Sequence, residues 1–304
     1  MKGMNIMFEN KNIRIGIHPM TWTNDDLPEL GKNNTFKQCV SEIALAGFVG
    51  SEIGSKYPMD ADVLKKELDL RGLSISGWWF SSFLTTKPYE ETAEAFRKHV
   101  QFLNKMGSKI VVFSEQGHGI QGQMNTPIFA SKPVYTEEEW TKLIDGLHKL
   151  AGIAAEYDVK IAFHHHMGTG VQTAAEIDRL MEATDPKKVF LLFDSGHLTF
   201  SGEDAVAVLK KHVDRVAHVH LKDVNKDVVA KCKAEKWSFL KAILDGCFAM
   251  PGDGDVDFES IFKILDESKY EGWFVVEADI DPGKTDALEY AIKARKYIKE
   301  KSGL

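Results

Sequence analysis

Eight short apolar runs recur along this chain, each separated from the next by a stretch with helical periodicity. In order they are IRIGIHP (13–19), FVGSEI (48–53), LSISGWWF (73–80), KIVVFSE (109–115), VKIAFHH (159–165), VFLLFDSGH (189–197), RVAHVHLKD (215–223) and GWFVVEAD (272–279). Runs this short, rich in β-branched and apolar residues, predict parallel strands buried on both faces. Between them, Phe96, Val100 and Leu103 share one face of 88–106, and Ile177, Leu180 and Met181 share one face of 173–183. In 285–301 the shared face carries Leu288, Ala291, Ile292, Arg295 and Ile298. Pro88 opens one helix, Asp60 and Thr173 fit N-caps, and Gly47, Gly72 and Gly107 fall just after helices.

Eight such units in 304 residues predict an α/β fold, a (β/α)₈ TIM barrel in a single domain over 1–304. A doubly wound open sheet fits less well. No GxGxxG follows the first run, and polar residues end nearly every strand. No proline- or serine-rich linker divides the chain. The connections after strands four and seven, 114–135 and 223–254, are long and lie on the C-terminal side of the strands, where barrel sites form. In the second, Trp237, Phe239, Leu240, Ile243 and Leu244 recur at helical spacing. They predict an extra helix on the barrel rim, within 226–246, whose functional version is a lid.

Composition narrows the partners. A net charge of −7 argues against a nucleic-acid binder, which needs a basic face. No run of about 18 apolar residues is available to span a membrane. The N-terminal MKGMNIMFENKN has no apolar segment of the kind a secretion signal needs. Cys39, Cys232 and Cys247 are far apart and form no CxxC pair, which fits reduced thiols of a cytoplasmic protein.

In a closed barrel all eight strand ends meet around one mouth. Here they bring His18, Glu52, Trp78 and Trp79, Glu115, His164 to His166, Asp194 and His197, the run His218, His220 and Lys222, and Glu277 with Asp279. Side chains at i and i+2 share a face, so His164 and His166 point together and His165 points away. The same parity groups His218, His220 and Lys222. Asp194, His220, Glu277 and one of His164 and His166 then form a mixed nitrogen and oxygen donor set. Such a set suits Mn²⁺, Co²⁺, Fe²⁺ or Zn²⁺ rather than a thiolate-seeking metal. Singly, each residue has a plainer reading: Asp194 as the cap of the turn DSGH, Glu277 as a lysine's partner, Lys222 as a loop charge. The set carries the metal. Glu52, Trp79, Glu115 and His197 stand where a substrate would be touched.

The motifs FDSGH (193–197), HVHLKD (218–223), MPGDGDVDF (250–258) and WFVVEAD (273–279), in that order, resemble the xylose isomerase-like sugar isomerase/epimerase superfamily of TIM barrels. That resemblance implies a divalent metal held by Glu, Asp, His and Glu from strands five to eight. The last three fall on Asp194, His220 and Glu277, while His164 stands where the strand-five glutamate is expected. HHHMGTGVQT (164–173), GIHPMTW (16–22), GWWFSSFL (77–84) and FAMPGDGDVDF (248–258) narrow the likeness to the inosose dehydratases of inositol catabolism, over about residues 13–300. The resemblance implies dehydration of 2-keto-myo-inositol (scyllo-inosose), a small cyclic keto-polyol, to a trihydroxycyclohexane-1,2-dione. It implies Mn²⁺ or Co²⁺ and, in the traditional description, glutathione, for which no site is legible. The reaction needs a base for the α-proton and an acid for the departing hydroxyl. His166, Lys222 and Glu277 are the candidates, with His197 holding a hydroxyl. An isomerase or epimerase on the same barrel would use two opposed metal-bound carboxylates, a symmetry that His164 breaks. A non-catalytic sugar-binding module is the more distant alternative, and self-association as a homo-oligomer stays open.

Overall fold

A computed structural model describes residues 7–304. Residues 1–6, part of the segment read above as lacking a secretion signal, lie outside the described residues. In chain order the strands are β1 (Ile13–Ile17), β2 (Gly50–Ile53), β3 (Ser74–Ser82), β4 (Ile110–Glu115), β5 (Lys160–His164), β6 (Val189–Asp194), β7 (Val216–Leu221), the two-residue pair β8 (Asp223–Val224) and β9 (Phe248–Ala249), and β10 (Gly272–Val276). All but β8 and β9 close into one parallel barrel in which β10 pairs with both β7 and β1. The expected eight-stranded barrel is therefore the observed one. β8 and β9 form a separate antiparallel ribbon in the connection after β7.

The helices are α1 (Phe36–Leu45), α2 (Ala61–Asp69), α3 (Tyr89–Lys105), α4 (Glu137–Ala155), α5 (Ala174–Ala183), α6 (Ser195–Ser201), α7 (Ala205–His212), α8 (Lys226–Ala234), α9 (Phe239–Leu244), α10 (Phe258–Glu267) and α11 (Ala287–Ser302). Asp60 caps α2 by accepting from the amides of Asp62 and Val63, and Thr173 with Glu176 closes a capping box on α5. Outward strand residues such as Phe113, Phe163, Phe193 and Phe274 pack with Phe96, Leu147, Ile177 and Ile261 of the helices into the main core.

The barrel interior is filled from below. The Trp273 ring lies inside it with the Arg14 guanidinium 4.0 Å from its centroid. A side chain at Gly50 would overlap that ring, approaching it to 2.3 Å, so glycine is what lets the indole in. Ile110, Val112, Ala162 and Leu192 form a further apolar cluster inside the barrel, with Trp79 against it. The polar strand ends stand on this plug.

Several strand limits differ from expectation: β5 stops at His164, so His165 and His166 lie just beyond it, and β7 stops at Leu221, just before Lys222. β6 stops at Asp194, and 195–197, read as strand, are the first turn of α6, because the Asp194 carboxylate caps that helix through the His197 amide at 2.7 Å. β10 stops at Val276, so Glu277 and Asp279 sit just beyond the ladder. The expected rim helix is present as α8 and α9. It packs as a wall: Phe239, Phe248 and Cys247 join Phe200, Ile128 and Met167 in a second small core, and the Ile128 amide donates to the Trp237 carbonyl at 2.9 Å. Cys39, Cys232 and Cys247 are buried and free. Among the described residues no helix is long and apolar enough to cross a membrane.

Candidate active site

At the C-terminal end of the strands lies a cavity of about 530 Å³, lined by His18, Asp25, Asp26, Glu52, Trp78, Trp79, Gln116, Gln121, His166, Lys222, Glu277 and Asp279 among others. Its size suits one small polyol. Just under its floor, donor atoms of His164, Asp194, His220 and Glu277 lie within 4.8 Å of one another, and Glu277 reaches both floor and cavity. This is the predicted four-residue set, with His164 rather than His166 as its strand-five member.

The hydrogen bonding of these four residues is incomplete in a telling way. Asp194 uses one oxygen, Oδ1, to cap α6; the other, Oδ2, is buried and makes no hydrogen bond. Nor do either ring nitrogen of His164 or the Nδ1 of His220. These orphans converge: Asp194 Oδ2 lies 3.4 Å from His164 Nε2 and 3.4 Å from His220 Nδ1, which is 2.7 Å from Glu277 Oε2. Buried polar atoms are almost always paired, and a buried unpaired carboxylate is strongly disfavoured. Two imidazole nitrogens and two carboxylate oxygens at one point fit a divalent cation. Burial pushes the Asp194 carboxyl up, but His197, His164, His220 and Lys222 together outweigh it and hold the group well below its ordinary range.

Glu52, on β2, reaches across the interior. Its Oε1 accepts from His218 Nε2 at 2.7 Å and from His220 Nε2 at 2.8 Å. Burial alone would raise its pKa, but His220 and His218 hold it below the usual carboxylate range.

Lys222 follows β7 and is fully buried. Its Nζ lies 2.5 Å from Glu277 Oε1 and 2.9 Å from Asp279 Oδ2, over the Phe248 ring at 4.4 Å. Burial lowers its pKa, yet Asp279, Glu277 and Asp194 outweigh that and keep it an ammonium. The glycine of DSGH explains how it fits: a side chain at Gly196 would approach Lys222 carbons to 2.3 Å. His166 borders the cavity with Trp79 edge-on at 5.7 Å. Burial, then His164 and Lys222, pushes its pKa down to about 3, so the ring is neutral. Its Nδ1 donates to the Met167 carbonyl at 2.8 Å, which leaves Nε2 with the lone pair.

His165 faces away as parity requires and is fully buried, its Nε2 accepting from the Asp194 amide at 3.4 Å.

Two of the residues expected to touch substrate lie away from the cavity wall. Glu115 does not border the cavity. It is buried and accepts from Ser82 Oγ, the amides of Leu84, Thr85 and Gly117, and Thr85 Oγ1, so it organises the loops after β3 and β4. His197 does not border it either. Its ring lies 3.9 Å from that of His166, tilted by 42°, and its Nε2 lies 3.3 Å from Lys222 Nζ, so it backs those two residues. Glu52 does reach the cavity, with Oε1 already taken by the two histidines. His118, in the same loop as Glu115, pairs with Glu139 at 2.7 Å.

Asp26 was not foreseen. It sits in the loop after β1, whose Asn24 accepts from the Asp26 and Leu27 amides, and burial followed by the neighbouring Asp279 raises its pKa to about 7. An aperiodic loop gives no signal for such a residue; the only hint is its place after a barrel strand.

A closed parallel barrel with a His₂Asp-Glu cluster of a kind that could hold a divalent ion at its C-terminal mouth has the architecture of a TIM-barrel enzyme, and the chain belongs to the xylose isomerase-like TIM barrel family, whose model matches residues 40–301. Within it the chain falls among the inosose dehydratases. The inosose dehydratase of Geobacillus thermodenitrificans (strain NG80-2) is 61% identical over 298 residues, covering 98% of this chain and 100% of that protein. That of Clostridium tetani (strain Massachusetts / E88) is 59% identical with the same coverage. Among solved structures, the IolI protein with a bound zinc atom has the same fold, at a TM-score of 0.72 and 19% identity, with 95% of this chain and 98% of that one covered.

Proposed function

We infer that this chain is a metal-dependent hydro-lyase that removes water from 2-keto-myo-inositol (scyllo-inosose), giving a trihydroxycyclohexane-1,2-dione. Identity of about 60% to named inosose dehydratases over nearly the whole chain supports the reaction. The observation that carries the chemistry is the convergence of unpaired buried donors beneath a polyol-sized cavity that also holds a neutral imidazole and a buried ammonium. His164, Asp194, His220 and Glu277 would hold the ion, for which Mn²⁺ or Co²⁺ fits the donor set. When bound, it supplies Lewis acidity toward the ketone and an adjacent hydroxyl.

The chain's own residues then divide the proton transfers. Lys222 is a cation and cannot be the base. His166, neutral with Nε2 free, takes the proton α to the ketone. Lys222 gives a proton to the hydroxyl leaving the β-carbon, so water departs and a carbon–carbon double bond forms. The product is an enol. His166 returns its proton to the β-carbon, the enol hydroxyl loses one to Lys222, and the dione results with both residues restored. Trp79 forms an apolar wall, and the Asp25–Asp26 loop supplies hydroxyl acceptors above. A cytoplasmic location accords with three unpaired buried thiols.

The experiment is direct. Protein stripped by chelator should not turn over scyllo-inosose, and Mn²⁺ or Co²⁺ should restore formation of the α-diketone, read by its absorbance. Full turnover by metal-free protein, or an Asp194→Ala variant retaining stoichiometric ion, would overturn the reading.

A further inference from the structure

We propose that Glu52 is a positioning residue that fixes the tautomer of His220, so that Nδ1 and not Nε2 is presented to the metal. The proposal rests on the metal reading above. His220 has a carboxylate oxygen at each edge, Glu52 Oε1 2.8 Å from Nε2 and Glu277 Oε2 2.7 Å from Nδ1. The edges differ in what else they meet: Nδ1 also lies 3.4 Å from the unpaired Asp194 Oδ2, among the four clustered donors, whereas Nε2 donates to Glu52. An ion held by that cluster would take the place of a proton on Nδ1, and the proton left on Nε2 is the one that Glu52 accepts. The ring is held at both edges, by a carboxylate behind and the metal cluster in front. A buried carboxylate accepting the far N–H also makes the ligating nitrogen more basic.

The same geometry decides a second question. Glu52, His218 and His220 also converge closely enough to resemble a metal site of their own. Both histidines, however, turn N–H groups toward Glu52 Oε1, and His220 cannot offer Nε2 to one ion and Nδ1 to another while it keeps its proton. His218 Nδ1 makes no hydrogen bond, so the His218 proton is on Nε2 and its visible role is to hold Glu52. Glu52 is 1% exposed, and its other oxygen lies 3.9 Å from His18 Nε2. Glu52 thus has a fixed place, two donors and one consequence, the orientation of His220.

The test uses the full chain, with wild type, Asp194→Ala and Glu52→Gln compared. Three quantities are read: the Mn²⁺ dissociation constant by chelator competition, the visible spectrum of the Co²⁺-loaded protein, and the melting temperature of the metal-free protein. A glutamine keeps the size but presents an amide to two N–H groups, and affinity should fall about 10–100-fold with a changed Co²⁺ spectrum. A purely structural Glu52 would lower the metal-free melting temperature and leave affinity and spectrum unmoved, which overturns the proposal. If wild type itself takes up no ion, or Asp194→Ala keeps it, the metal reading falls first and the proposal falls with it. If those two behave as expected and Glu52→Gln binds as wild type does, only the positioning role fails. Should Glu52→Gln not fold, ¹⁵N spectra of Zn²⁺-loaded wild type decide the matter: His220 ligated through Nδ1 with a protonated Nε2 supports the proposal, and ligation through Nε2 overturns it.

Discussion

Alanine placed in turn at His164, His165 and His166 should give three different proteins, because three adjacent rings do three different things. His164 has no hydrogen bond at either nitrogen and lies 3.4 Å from Asp194 Oδ2, so it has no evident purpose but ligation. Its removal takes one of four donors. The loss in metal affinity should exceed the roughly 10–100-fold that removal of an outer partner costs. His166 touches the cavity and lies outside the donor cluster. His166→Ala should keep the metal and lose about 10²–10⁴-fold in kcat, the usual worth of a positioned base, or about 3–5 kcal/mol of barrier. His165 meets neither cavity nor cluster. Its loss empties a fully buried site and removes the acceptor of the Asp194 amide, costing roughly 1–3 kcal/mol of stability at nearly unchanged metal affinity. The assays are chelator competition for the metal, steady-state turnover at saturating metal, and denaturant unfolding. Equal metal loss at positions 164 and 165 would refute the alternation on which the site is built. Metal loss at 166 with none at 164 would keep the strand and move the ligand two residues along.

Two further outcomes follow from groups away from the chemistry. Asp223 accepts from the amides of Val224, Gly252, Gly254 and Val256 and ties the PGDGD loop to the end of β7; Asp223→Ala should cost about 2–4 kcal/mol in denaturant unfolding, with metal affinity within a few-fold of wild type, and unchanged stability would contradict the reading. His99 is buried, stacked 4.0 Å from Trp78, and burial pushes its pKa down to about 3. The unfolded chain takes up this proton near 6.5 and the fold does not, so stability is full above about 6.5 and falls at up to about 1.4 kcal/mol per pH unit toward 3. Unfolding by urea at several pH values should show a His99→Phe slope shallower by about one proton, and an identical slope would exclude His99 as a contributor.

What the sequence made legible depended on periodicity. The strands were readable because a parallel barrel buries both faces of each one, and the sheet order followed from eight alternating units. The donor cluster was readable because parity is a local rule. The same rule says which way a side chain points and is silent on what else competes for it. Glu115 has a strand-end position as good as that of Asp194, but the amides of Leu84, Thr85 and Gly117 need an acceptor and capture it. Asp194 meets a similar demand from α6 with one oxygen and keeps the other free. His197 points inward from the first turn of α6, too deep to meet substrate. Asp26 was invisible because the loop after β1 has no period to read.

Depth was the missing coordinate, and β7 shows how it assigns roles. His218, His220 and Lys222 alternate along one run and rise about 6.6 Å per pair of residues toward the mouth. His218 is lowest and donates to Glu52. His220 is one step higher and meets both Glu52 and the donor cluster. Lys222 is higher still and borders the cavity. In the proposed mechanism, β7 and the residue after it run from the histidine that holds Glu52 to a metal ligand to a proton donor in sequence order, so parity chooses the residues and height above the Trp273 plug chooses the chemistry proposed for each. A slip of β7 by one residue would turn all three outward together.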